Sequence, residues 1–144
     1  MTVIDTSGAV DFLLDIGVGD NVASLIRDEG PLAAPDVLTF ELLAVLRRDV
    51  IRGALETRLA AGAVEDYGDV AIDLFPSIGL RRRAFELRDR LTAADALFVA
   101  LAERLDEPLA TKDRGLLRTA KQLGLAAVEL GAGAAPGHPP PSSR

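Results

Sequence analysis

Pro108-Leu109-Ala110-Thr111-Lys112-Asp113 is a short apolar run that ends in polar residues, and the alternation on its far side decides the fold. Leu109 to Thr111 reads as a buried strand, Arg114 to Leu123 carries helical spacing and closes at Gly124, and Leu125 to Leu130 reads as another strand. Short apolar strands alternating with helices point to a mostly parallel sheet covered on both faces.

The same alternation runs outward from this stretch. Thr2-Val3-Ile4 is β-prone and meets Asp5, after which Thr6-Ser7-Gly8 offers a helix start before Val10, Leu13, Leu14 and Ile16. Asp20 or Asn21 is expected to cap a second helix that stops at Gly30-Pro31, and Leu32 to Ala34 is a short strand ended by Pro35. Asp36 is expected to cap a helix running to Gly53, followed by a helix over 54–67 and a strand over 70–75 that Pro76 ends. Helical patterns then cover 78–90 and 93–105. The expected fold is a three-layer α/β/α domain with a central sheet of about five strands. It occupies residues 1–130; residues 131–144, rich in Gly and Pro, have little to bury and are expected to form a disordered tail.

Composition removes whole classes of chemistry. There is no Cys, so thiolate nucleophiles, Fe–S clusters and Cys-based zinc sites are excluded, and the one His, His138, lies in the tail. With 16 Lys plus Arg against 22 Asp plus Glu the net charge is −6, which argues against a generic polyanion binder. The charge is uneven: residues 1–41 carry eight acids against Arg27 alone, while residues 42–144 are close to neutral and hold three locally basic stretches, around Arg47, Arg81 and Lys112. An acidic protein can therefore still present a basic rim. No apolar stretch is long enough to span a membrane and the start has no basic leader, so a cytoplasmic location is expected.

Four acids stand out by position. In an open parallel α/β sheet, ligands bind beyond the carboxyl ends of the strands. Asp5 ends the first strand and Asp113 closely follows Thr111; the ordinary reading of each is a helix N-cap. Glu41 has Val37, Leu38, Ala44 and Val45 as its helical neighbours, and Asp95 has Leu91, Phe98 and Val99, so each carboxylate interrupts an apolar face. A buried carboxylate needs a donor, a cation or a metal, and the competing reading is a structural ion pair with one of the many Arg residues. Together the four make an all-oxygen ligand set, which hard cations such as Mg²⁺ or Mn²⁺ prefer. Asp11 and Asp15, one helical turn apart, read as a solvated face.

These residues carry a resemblance. Val3-Ile4-Asp5-Thr6-Ser7, Phe40-Glu41-Leu42-Leu43 with Leu46-Arg47-Arg48, Asp95-Ala96-Leu97-Phe98-Val99-Ala100-Leu101-Ala102-Glu103 and Pro108-Leu109-Ala110-Thr111-Lys112-Asp113 resemble, in this order, a PIN-domain protein of the VapC toxin type. The later blocks are the specific part. The resemblance implies that Asp5, Glu41, Asp95 and Asp113 form the catalytic metal site, that Thr111 supports it, and that Thr6 or Ser7 assists. It implies a metal-dependent endoribonuclease of a toxin–antitoxin module, using one or two Mg²⁺ ions, with Mn²⁺ as a substitute, to activate water. It also implies a VapB-type antitoxin as partner, and a homodimer. The chain departs from the family where Ala94 and Phe98 replace the aromatic and the Tyr often found there.

Arg47, Arg48, Arg52, Lys112 and Arg114 lie near the site-bearing segments and are expected to hold RNA phosphates; the competing reading is solvated helix faces. With aromatics at 4%, backbone contacts should dominate over base stacking. Two other classes of function are open at this point. A phospho-receiver module would use Asp5, Asp73 and Lys112, and a PIN module could act by binding alone.

Overall fold

Thr2, Val3, Ile4, Leu109, Ala110 and Thr111 are all buried, because their two strands lie side by side in the middle of a sheet covered on both faces. The computed structural model describes residues 1–131. In chain order its elements are β1 (Thr2–Ile4), α1 (Thr6–Leu14), α2 (Gly19–Glu29), β2 (Leu32–Pro35), α3 (Val37–Ile51), α4 (Thr57–Tyr67) and β3 (Ile72–Phe75). After a 3₁₀ turn at Ser77–Leu80 come α5 (Arg81–Glu86), α6 (Ala93–Leu105), β4 (Leu109–Thr111), α7 (Arg114–Gln122) and β5 (Ala127–Glu129). The five strands run in the order β3-β2-β1-β4-β5, and every pairing is parallel.

Alternation along the central strands builds the layers. Val3, Ala33 and Leu109 pack with Phe98, Val99 and Leu101 of α6 in one cluster, while Ile4, Leu32 and Ala110 pack with Val22 of α2 in another. A third cluster joins Val10 of α1 to Leu42 and Leu46 of α3 and to Ala60 and Ala63 of α4. The chain leaves β1 toward β2 on one side and later places β4 on the other, so the strand order reverses at β1. That is where an α/β sheet opens a crevice at its carboxyl edge.

Several boundaries differ from expectation for physical reasons. The helix expected over 78–90 is broken: Ser77–Leu80 is a 3₁₀ turn and only Arg81–Glu86 is α-helical. Gly79 packs under Arg104, whose Nη1 donates to the Gly79 carbonyl at 3.2 Å, and the bonds Arg88 N to Phe85 O and Arg90 N to Leu87 O tighten the far end. Ala54 and Leu55 do not begin α4; both amides bond to Asp49 O, closing α3 around Gly53 at φ 75°. Neither Asp20 nor Asn21 caps α2, which starts at Gly19 without a side-chain cap. Asp36 does not cap α3 either, because its Oδ1 accepts from the Ser77 amide at 3.1 Å and from the Ser77 hydroxyl. The expected tail lies outside the described residues, apart from Gly131 at its start. Among the described residues no helix is long and apolar enough to cross a membrane.

Candidate active site

Asp5 and Asp113 stand at the ends of neighbouring strands, and each does cap the helix beyond it. Asp5 Oδ1 accepts from Gly8 N at 3.0 Å and Asp113 Oδ1 from Leu116 N at 3.0 Å. Capping occupies one oxygen of each. Asp5 Oδ2 accepts the hydroxyl of Thr111, which in turn accepts the Asp113 amide at 3.0 Å, and Ser7 Oγ lies 3.2 Å from both Asp5 oxygens. Asp5 is only 6% exposed, and burial pushes its carboxyl above the ordinary value. The hydrogen bonds from Thr111, Gly8 and Ser7 oppose that shift, and the charge of Asp113 adds to it.

Glu41 and Asp95 approach the same place from α3 and α6. Glu41 Oε1 accepts the hydroxyl of Thr6 at 2.6 Å. Asp95 sits in the first turn of α6, where Thr92 is the cap and its Oγ1 accepts the Asp95 amide at 3.2 Å. Burial also raises the Asp95 carboxyl, hydrogen bonding from the Thr92 side chain to that carboxyl opposes this, and the charges of Asp113, Glu41 and Asp5 raise it further. Thr92 is not among the residues expected at the site, although the Thr92-x-x-Asp95 spacing is a capping pattern visible in the sequence.

All four carboxylates line one cleft of about 430 Å³, graded from buried Asp5 through half-buried Glu41 and Asp95 to exposed Asp113. Among the described residues none of the four forms an ion pair with Lys, Arg or the N-terminus. The competing reading of structural ion pairs therefore fails for this quartet. As the side chains lie, no three carboxylates among the described residues converge on a common point. Like charges repel, and each group has a nearby donor: Gly8, Ser7 and Thr111 for Asp5, Thr6 for Glu41, Leu116 for Asp113, and the Thr92 side chain for Asp95. The donor set of the four is oxygen only, and none of them is paired with a base among the described residues, which suits a hard divalent cation.

Glu41 does not interrupt a packed face. Of its helical neighbours only Leu38 is buried, Val37 and Val45 are half-buried and Ala44 is exposed, so the side chain faces a cleft wall and not a packed interior. Nor does Asp11 lie on a solvated face; it is 6% exposed and pairs with Lys112 at 2.7 Å. Asp15 is exposed and ends α1 at φ 55°.

The bases divide. Arg48 and Lys112 line the cleft, each beside a carboxylate of the same wall: Arg48 Nε to Asp49 Oδ1 at 3.1 Å, and Lys112 to Asp11. Arg47, Arg52 and Arg114 are exposed and outside the cleft lining, with Arg114 Nε 3.4 Å from Glu129 Oε1. The phospho-receiver arrangement is not formed. Asp73 lies in mid-strand on β3, in register with Ala33 of β2, so a whole strand separates it from β1 and Asp5.

Comparison with known proteins gives a consistent set of likenesses. The family model for the PIN domain matches residues 2–122. Ribonuclease VapC12 of Mycobacterium tuberculosis is 32% identical over 119 residues, which cover 83% of this chain and 92% of that protein. Among solved structures, PAE2754 from Pyrobaculum aerophilum superposes with a TM-score of 0.66 at 20% identity, covering 90% of this chain and 88% of that one. VapBC2 from Rickettsia felis, solved bound to a DNA fragment from its promoter, gives 0.63 at 11% identity, covering 89% and 97%. At those identities the structural likeness speaks for the fold.

Proposed function

The chain belongs to the PIN-domain family, among its VapC ribonucleases, and from that premise we propose that Asp5, Glu41, Asp95 and Asp113 hold a divalent cation with which it hydrolyses RNA. One observation carries this reading: four carboxylates from separate elements line a single cleft with no base paired to any of them among the described residues. A cluster of that kind is costly unless a cation is shared.

When bound, Mg²⁺, or Mn²⁺ in its place, polarises the phosphodiester and supplies a nucleophile at neutral pH. The chain's own residues set the stage for this. Asp5, Asp95 and Asp113 are the ligands, directly or through water, and Glu41 is a further ligand or the base that orients water. Thr111 fixes the Asp5 carboxylate and the Asp113 backbone together, and Thr6 holds one oxygen of Glu41, leaving the other free to turn inward. Ser7 steadies Asp5. No His or Cys takes part, and the described residues contain neither. Arg48 and Lys112 on the cleft wall, with Arg47 and Arg114 farther out, contact the phosphates on either side of the scissile one.

In this reading the protein is the toxin of a toxin–antitoxin pair, working in the cytoplasm, with residues 1–130 as the functional unit. A VapB-type antitoxin silences it by covering the cleft. A homodimer, which the family resemblance implies, is its assembled form. Binding without catalysis has no comparable support, because it leaves the unpaired quartet without a role.

The test is incubation of the purified protein with total RNA and Mg²⁺, mapping new 5′ ends, beside EDTA and Asp5→Asn controls. Site-specific cleavage lost in both controls is the expected result. Cleavage that survives them removes the metal site.

A further inference from the structure

Asp11 is a buried carboxylate with no part in the chemistry above. Its Oδ2 accepts Lys112 Nζ at 2.7 Å and the Val18 amide at 3.1 Å. The turn between α1 and α2 closes directly over it. Gly17 adopts φ +50°, and a Cβ there would collide with the Asp11 carboxylate; a Cβ on Gly19 would stand 2.8 Å from the Asp11 carbonyl oxygen. Bare backbone thus wraps a charged group that an apolar side chain would replace at lower cost.

What this arrangement fixes is Lys112. The residue sits between Thr111 and Asp113, on the loop that carries the rim of the acid cleft, and its side chain remains 39% exposed. An ammonium has three N–H donors, and Asp11 takes one. Two remain, on a group that lines the same cleft as the four acids. A free lysine is a flexible point charge; one held by a buried carboxylate has a defined place.

We infer that Asp11 is a positioning residue, which holds the Lys112 ammonium on the cleft wall so that its two free donors meet a phosphate oxygen of the bound RNA strand. The inference rests on the ribonuclease reading. It makes a prediction opposite in sign to that of net charge. Asp11 adds a negative charge beside a site that must admit a polyanion, so by charge alone its removal strengthens RNA binding and speeds cleavage. By positioning, its removal slows cleavage.

The full chain is compared with Asp11→Asn, Lys112→Met and the double variant, using a short RNA containing the mapped site and Mg²⁺. Each single change is expected to lower kcat by about tenfold to a hundredfold, the scale of a misplaced contact. The double is expected to be no slower than Lys112→Met, because Asp11 acts only through Lys112. Mn²⁺ affinity, read by calorimetry, is expected to stay near the wild-type value, which separates the effect from damage to the acid quartet. An Asp11→Asn protein that cleaves as fast as wild type or faster overturns the inference, and so do losses that multiply in the double. If Asp11→Asn does not fold, Asp11→Leu/Lys112→Met replaces it; a rate equal to Lys112→Met alone upholds the inference and a further tenfold loss overturns it. A wild-type protein that binds RNA but never cleaves it sinks the ribonuclease reading instead. Fluorescence anisotropy with the same RNA then decides: weaker binding by Asp11→Asn upholds positioning, equal or tighter binding overturns it.

Discussion

Thr111 donates its hydroxyl to Asp5 across 106 positions of sequence, and the same oxygen accepts the amide of Asp113. One buried hydroxyl therefore ties two candidate ligands on adjacent strands. Thr111→Val keeps the shape and removes the hydroxyl, leaving Asp5 Oδ2 short of a donor. The expected cost is about 1–3 kcal/mol of stability, measured by urea unfolding. The acid limb of the pH–activity profile should also move upward, since a bond that lowers the Asp5 carboxyl is gone. An unmoved limb would show that Thr111 does not tune Asp5.

Asp5 and Asp95 are both raised above their ordinary value of 3.8, chiefly by burial. A group raised in the folded state binds protons more tightly there than in the unfolded chain. Its contribution to stability is complete below the unfolded value and is lost as pH rises through the folded one. In EDTA, Asp95→Asn should thus melt higher than wild type, and the gap should widen from about pH 4 upward until Asp95 is fully ionised. Saturating Mn²⁺ should narrow it by stabilising wild type alone. Thermal melts across pH test this, and a gap independent of pH would rule it out.

The basic wall predicts salt dependence. RNA affinity, measured by anisotropy with the Asp5→Asn protein to prevent cleavage, should fall steadily as salt is raised. Arg48→Ala should weaken binding to all sequences alike and reduce the slope by about one. Affinity that stays flat over a several-fold rise in salt would exclude a phosphate-contacting rim.

Gly17 provides a check on how tightly the turn encloses Asp11. Gly17→Ala puts a Cβ at φ +50° against the Asp11 carboxylate, so both backbone and contact are unfavourable. A loss of more than about 1 kcal/mol is expected in urea unfolding. The same change should slow RNA cleavage if it displaces Lys112.

Much of the fold is legible in the sequence because it is written in local pattern. The β1 to α1 and β4 to α7 junctions fall at Asp5 and Asp113 as their residue types suggest, and α6 at Ala93–Leu105 matches its expected span. The run over 78–90 reads as one helix because the contact at Gly79, in the 3₁₀ turn at its start, comes from Arg104, on a helix later in the chain. Asp36 reads as a cap for a similar reason, since its partner Ser77 lies 41 residues on. Asp11 carries no signal at all: an acid on an amphipathic helix reads as solvated until its Lys partner is known.

The sequence by itself removed thiolate chemistry, since it offers no Cys, and with a single His in the tail it singled out the acids at strand and helix positions. Only the tertiary structure decided which acids share a cleft, which pair with a base, and that Asp11 belongs to Lys112. The reason is range. Periodicity, caps and composition act within a turn or two of chain, whereas parallel pairing sets Ile4 opposite Ala110, so the electrostatics of the cleft exist only after the sheet has formed.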